Sequence, residues 1–404
     1  MFRERRGCPS IMVNTKHDTT SYENCSYQRE IYDGNALYDA FLKSRKGSAW
    51  KPQVQKFRMN MLTELASIHN DLKNRSYEFS PTSEFVLSER GKTRPVVGEQ
   101  IRDRVAEHSL CDEFLTPAIR PKLIYDNGAS LQKKGIDFAR RRLLTHLRKY
   151  YSEHKSNEGY ILIIDFTKYY DNILHDKLLE MFSDIIVNDT ALWFLHEVIK
   201  QSEVDVSYMT DEEFECCLDN LFNSLEYFAL GKEVRTGEKF MKKHLNIGSQ
   251  PAQSSGILYP TPFDTYVKIV KSEKFYARYM DDSYVIHPSK EHLQELLKDL
   301  VDIAKELGIT INTKKTRIVP LSSYWRFLQI QYSLTETGRV IKKINPKRVT
   351  AMRRKMKKLA PQMTLKDFTN WFFSWFNNHK KLMSKLQKKH LLTLFKEVSE
   401  LCLS

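Results

Sequence analysis

No apolar run in this 404-residue chain approaches the roughly 20 residues that span a bilayer. The opening segment, MFRERRGCPS, has no apolar core of a secretory signal, so neither a membrane anchor nor export is expected, and a cytoplasmic location is. Cysteine is scarce: Cys8, Cys25, Cys111, Cys216, Cys217 and Cys402 show no CxxC pair and no metal-ligand spacing. That argues against a disulfide scaffold or a zinc module and suits reducing surroundings. Acids are the minority charge, 50 Asp plus Glu against 64 Lys plus Arg. An excess of this sign points to a polyanionic partner, and without a membrane segment nucleic acid is the better candidate. At 41% hydrophobic and 28% charged residues, the chain has material for two or three subdomains with their own cores.

Residues 1–35 are polar, without a sustained period, and read as an N-terminal extension. From Ala36 to Leu72 helical periodicity dominates, with a basic strip, KSRKGSAWKPQVQKFR, interleaved by Trp50 and Phe57. EFVLSERGKTRPVV, residues 84–97, predicts a β-hairpin with Gly91 at its tip and Lys92 and Arg94 just beyond it. Residues 98–155 read as mainly helical and basic. The run Tyr160–Ile164 is short and β-branched, and predicts a buried strand that delivers Asp165 at its end, followed by a helix. Residues 201–231 contain no Lys or Arg and read as part of a helical insertion facing away from the polyanion. SKEHLQELLKDLVDIAKELG predicts an amphipathic helix with Ser289 as N-cap and Gly308 as its stop. Strand, helix, hairpin, helix and strand in this order describe an α+β sheet with helices on one face. From Lys342 to Lys389 fifteen Lys or Arg face one acid, Asp367. There Trp371, Phe372, Phe373, Trp375 and Phe376 read as the core of a small helical bundle, and the charge excess as a nucleic-acid surface.

Between the strand-like halves of FYARYMDDSYVIHPS stand Asp281 and Asp282. Carboxylates removed from water need a positive partner, and two neighbours in sequence converge only where a hairpin turn interrupts the pleat. With Asp165 they would make three acids able to hold two divalent ions roughly 4 Å apart for in-line displacement at phosphorus, a donor set that Mg²⁺ favours. By itself an aromatic, any residue and two aspartates arises in roughly one in ten chains of this length, so company and order decide.

That company is present, and the sequence resembles the reverse transcriptases. YMDD, Tyr279 to Asp282, resembles their catalytic hairpin, and DFTKYYDNI, Asp165 to Ile173, the strand and turn with their first metal-binding aspartate. IGSQPAQSSG is similar to the loop supporting template and nucleotide, NTKKT to a downstream N-x-x-K-T element, and RFLQ to the primer-grip turn. GKTRPV, DRVAEHSLCDEFLTP and YDNGASLQKKGIDFARRRL resemble finger and upstream blocks of bacterial members. The resemblance implies a right-hand polymerase fold: fingers over residues 36–158, palm over 159–182 and 245–335, a helical insertion over 183–244 and a basic helical thumb over 336–404. It implies catalysis and metal binding by Asp165, Asp281 and Asp282, with two Mg²⁺, or Mn²⁺ in their place. Lys315 would protonate pyrophosphate, with Lys314 beside it as a competitor for that role. Lys92, Arg94, Phe166, Tyr170, Gly248 and Gln253 would bind the nucleotide, with the Tyr170 ring excluding a ribose hydroxyl. Tyr279, Phe327, Leu328 and Gln329 would hold primer and template.

Two departures stand out. Ile247-Gly248 replaces the Gln-Gly of many retroviral-type members, as in the diversity-generating enzymes, and Gln329 replaces the glycine that usually ends the primer-grip turn, which predicts a different turn backbone. With no nuclease or integrase module, the chain resembles the retron, diversity-generating and phage-defence groups, the last favoured. These imply a structured non-coding RNA template, dNTPs and a cDNA product. The basic blocks Lys43–Arg58, Arg140–Lys149 and Lys342–Lys389 would hold the RNA through phosphates. Competing readings are a template-independent DNA polymerase on the same fold, an RNA-dependent RNA polymerase, which has an aspartate where Tyr170 stands, a non-catalytic RNA-binding protein, and a two-metal nuclease.

Overall fold

The structure, a computed structural model, describes residues 28–403 apart from 90, 91, 229 and 231. Most of the N-terminal extension and the hairpin tip at Gly91 thus lie outside the described residues. At the centre is an antiparallel four-stranded sheet ordered Arg317–Pro320, Tyr160–Ile164, Asp282–His287, Tyr276–Tyr279. Asn127 forms a bridge to Arg278 on its outer edge, and the Gly128 amide donates to the Arg278 carbonyl at 2.8 Å.

Helices cover both faces of this sheet, which corrects the expectation of one. Leu162, Ile164, Tyr276 and Val285 join a core with the helices Gln250–Leu258, Thr261–Thr265 and Lys290–Glu306. Ile161, Ile163, Ala277, Tyr284 and Ile286 face the helix Ile136–His154 through Ala139, Leu143, Leu147 and Tyr150. The sequence carries the reason: Ile161 to Ile164 is an unbroken apolar run, and a strand exposed on one side would alternate.

The helix Lys290–Glu306 has the predicted ends. The Ser289 hydroxyl accepts from the His292 amide at 3.0 Å, and Gly308 leaves the helix at φ +70°. Leu293, Leu296 and Leu300 are buried along one face, each contributing about 1.5–3 kcal/mol by burial. After Asp165 the chain differs from expectation. A short strand, Phe166–Thr167, and a 3₁₀ turn, Tyr169–Asn172, precede the helix, which starts only at His175.

The segment expected as a helical insertion divides in two. Its helix Asp189–Lys200 puts Phe194, Leu195, Val198 and Ile199 into the main core. Residues 204–241 enclose a small core of Val204, Val206, Phe222, Tyr227 and Met241, closed by the strand pair Val204–Asp205 and Phe240–Met241. Near the C-terminus, helices Pro346–Leu359, Leu365–His379 and Lys385–Ser399 pack around Met352, Met356, Phe368, Phe372 and Leu391. Phe372 and Phe376 are buried there, with Trp371, Phe373 and Trp375 packed beside them, as expected of bundle aromatics. Among the described residues no helix is long and apolar enough to cross a membrane.

Candidate active site

Asp165 directly follows the strand Tyr160–Ile164, whose last rung pairs Ile164 with Ser283. The next residue on this strand's side is Asp165, and the next on the partner's side is Asp282, the first residue of the returning hairpin strand, so the register leads the two toward one another. Tyr279 pairs with Asp282, so Met280 and Asp281 are the two turn residues. Met280 has φ +55°, a left-handed backbone that a two-residue hairpin turn requires and a methionine adopts only at a cost.

The turn is held from below by a buried ion pair. Arg278 and Asp264 are each 1% exposed, and the guanidinium donates to both carboxylate oxygens, with Nη2 to Oδ2 at 2.6 Å. Arg278 also donates to the Met280 carbonyl at 3.3 Å and the Ile257 carbonyl at 2.9 Å, while the Tyr276 hydroxyl donates to Asp264 at 2.7 Å. Asp264 is therefore fully used, and the turn carrying Asp281 is tied to two helices. Neither residue was foreseen, because an arginine inside YARYM carries no local mark of burial.

Asp165 is largely covered, and both its oxygens accept from the Lys315 ammonium, at 2.9 and 2.6 Å. The NTKKT turn places that lysine: the Asn312 amide donates to the Asp165 carbonyl at 2.8 Å, and the Asn312 side chain accepts from the Lys314 and Lys315 amides. Lys315 is thus the lysine on Asp165.

Tyr170 lies beside this group. Its hydroxyl is pushed well above the ordinary tyrosine range by burial first and the charge of Asp281 second, with Arg94 opposing, so these three side chains are electrostatic neighbours. The ring lies over Gly256, where an added Cβ would come within 2.6 Å of the Tyr170 oxygen. Arg94 stands exposed on the strand Lys92–Gly98, and the Lys92 side chain lies outside the described residues. Phe166 is buried against Tyr169 and Phe263, so whatever it offers a nucleotide comes from its backbone.

Gly248 faces the fingers-like hairpin: a Cβ on it would lie 3.6 Å from the Val97 carbonyl. Gly248 and Gln253 line a cleft of about 380 Å³ with Lys43, Glu99, Arg104 and Glu107. Burial, partly offset by a hydrogen bond to Glu107, pushes Glu99 up to about 7, and Glu107 is raised further by burial and by Glu99. This acid pair, one proton between two carboxyls, was also missed in the sequence.

Tyr279 packs on Gly128. Leu328 and Gln329 form the turn between the strands Trp325–Phe327 and Ile330–Leu334, with φ +43° and +72°. Gln329 thus takes the left-handed form that a glycine takes freely, and the Arg140 guanidinium ties down the Leu328 carbonyl at 2.9 Å. Phe327 meets Tyr284 of the hairpin strand Asp282–His287 edge to face, ring centres 5.0 Å apart.

Of the basic blocks, Arg141, Arg148 and Lys149 are exposed, whereas Arg142 is spent on Asp126. Trp50 is exposed and Phe57 is in the core. The acidic lobe meets the fingers-like hairpin, since Arg235 donates to both oxygens of Glu84 at 3.1 and 3.0 Å.

No curated protein is similar enough to the chain to count as a match. The profile of the family described as reverse transcriptase (RNA-dependent DNA polymerase) matches residues 88–332, more than half of the chain's length, from within the hairpin Ser83–Gly98 to the strand Ile330–Leu334. The chain belongs to the reverse transcriptases and is an RNA-directed DNA polymerase, a nucleotidyltransferase with the right-hand polymerase fold.

Proposed function

We propose that this reverse transcriptase copies a dedicated, structured non-coding RNA into cDNA by two-metal phosphoryl transfer, as part of bacterial defence against phage. The observation that carries the chemistry is the ladder register that leads Asp165 and Asp282 toward one another at the hairpin turn. These acids offer only hard oxygen donors, and the Lys315 ammonium on Asp165 supports a place suited to a cation. Asp165, Asp281 and Asp282 would hold two Mg²⁺, or Mn²⁺, which when bound lower the pKa of the attacking 3′ hydroxyl and neutralise charge on pyrophosphate.

The chain's own groups do the rest. Arg94, with Lys92, meets the triphosphate charge. Lys315 delivers a proton to the leaving pyrophosphate. The Tyr170 ring, seated on Gly256, closes the space a 2′ hydroxyl would need. Fingers, palm and thumb would follow the boundaries read from the sequence, with the insertion reduced to the small lobe between Val204 and Met241. RNA phosphates lie along Arg141, Arg148, Lys149 and the exposed bases of Pro346–Leu359, and the molecule works in the cytoplasm.

Ile247-Gly248 with Gln253 on the cleft favours a diversity-generating enzyme as the second reading. Sequencing the RNA and cDNA that copurify with the chain decides between them. One defined non-coding RNA with a faithful cDNA copied from it supports the proposal, cDNA carrying dense substitutions against its RNA template supports the second reading, and bulk cellular RNA without cDNA contradicts both.

A further inference from the structure

At the far end of the catalytic hairpin, three side chains from three separate segments converge. His287 ends the strand Asp282–His287, His292 lies in the first turn of the helix Lys290–Glu306, and Glu273 lies in the loop leading into the strand Tyr276–Tyr279. One ligand atom from each lies within 4.8 Å of the other two. We propose that Glu273, His287 and His292 form a binding site for a single Zn²⁺ or a similar first-row transition-metal ion, separate from the polymerase centre.

The donors suit that class of ion. Two imidazoles and one carboxylate favour zinc and its neighbours over Mg²⁺, which prefers oxygen throughout. Glu273 is 6% exposed, and an almost buried carboxylate needs positive charge close by. The partner it has is His292, whose Nε2 lies 2.5 Å from Oε1. A metal ion held by both atoms would supply the positive charge that the Glu273 carboxylate needs.

Both rings are already oriented. His287 and His292 stack with centres 3.9 Å apart and planes 24° from parallel, an arrangement that two imidazolium ions would oppose and two neutral ligands permit. His287 Nδ1 lies 3.0 Å from the Ser289 amide and 3.3 Å from the Ser289 carbonyl. The amide donates to Nδ1 here, so binding a metal through Nε2 would move the ring proton to Nδ1 and exchange the amide contact for one donated to the Ser289 carbonyl, the kind of backbone support that metal-binding histidines usually have. The Ser289 hydroxyl, by capping the His292 amide, fixes the second ligand's backbone. Zinc at about 2.0–2.2 Å from each donor spaces them roughly 3.3–3.6 Å apart, which side-chain adjustments of about an ångström supply. Three protein ligands leave a further position for water.

Five residues separate Asp282 from His287, roughly 17 Å along a strand, so the ion would act on architecture. It would join the loop entering the hairpin, the strand leaving it and the helix behind it, bracing the base of the element whose tip carries Asp281. Cysteine spacing could not reveal this site, since its ligands are histidines on either side of a strand-to-helix junction.

The test uses the full chain. After equilibration with Zn²⁺ and removal of excess ion, elemental analysis should find one zinc per chain in the wild type and in the Asp281→Asn, Asp282→Asn double variant. His287→Gln and His292→Gln should each lower zinc affinity at least tenfold and remove the zinc-dependent rise in melting temperature. Wild-type protein titrated with Co²⁺ should develop intense visible bands that Zn²⁺ abolishes, a readout needing no variant. Absence of stoichiometric zinc, a cobalt spectrum like that of the aqueous ion, or full zinc retention in both histidine variants would overturn the proposal.

Discussion

The Lys315 ammonium spans both carboxylate oxygens of Asp165, at 2.9 and 2.6 Å, so the first of the three aspartates proposed to hold the metal ions is neutralised by the chain itself. The lysine side chain is 48% exposed, and pairs that open to water are worth about 0.2–1 kcal/mol. A divalent ion can therefore displace it at little cost. Lys315→Ala should lower the Mg²⁺ concentration giving half-maximal primer extension, while the rate at saturating Mg²⁺ falls by about a hundredfold, the scale of general-acid catalysis. A Mg²⁺ titration of single-nucleotide addition measures both; an unchanged midpoint and rate would remove Lys315 from the site.

Asp264 and Arg278 bear on stability. Taking one partner from a buried ion pair strands the other charge, a loss of about 3–5 kcal/mol. Asp264→Ala should therefore lower the urea midpoint markedly. Adding Arg278→Met should restore part of it without restoring polymerase activity, because the Met280 carbonyl loses its donor.

Gly256 and Tyr170 separate position from identity. In Gly256→Ala the new Cβ would meet the Tyr170 oxygen at 2.6 Å, so the ring must move. Steady-state kinetics should show a several-fold rise in KM for dNTPs. Tyr170→Ala should instead relax the choice between dNTP and NTP. Equal discrimination by wild type and Tyr170→Ala would end its role as the gate.

How legible this was depends on range in the sequence. The hairpin at Asp281, the strand ending at Asp165 and the Ser289 cap are written in neighbouring residues, through periodicity, turn length and capping chemistry. Arg278 with Asp264, Glu99 with Glu107, and the helix Ile136–His154 on the sheet's second face depend on packing between distant segments. The apolar run Ile161–Ile164 is a local sign of two covered faces, which the order of elements does not carry. Gln329 at φ +72° shows tertiary context overriding a residue's own preference.

Glu99 ties stability to pH. It titrates at about 7 in the folded chain against 4.5 ordinarily, chiefly through burial. The folded state therefore binds the extra proton between those values, and this contribution is fully present below pH 4.5 and lost as pH rises through 7. Glu99→Gln, which keeps the shape without the ionisation, should raise the melting temperature more at pH 8 than at pH 5. An equal shift at both would show that the acid pair does not titrate in this range.

Primer extension on an annealed RNA template, with dNTPs and Mg²⁺, tests the central claim most directly when wild type is compared with the Asp281→Asn, Asp282→Asn variant. The account predicts that the wild type extends the primer, and that the variant binds the same duplex but adds no nucleotide. Extension by the variant at the wild-type rate would contradict it.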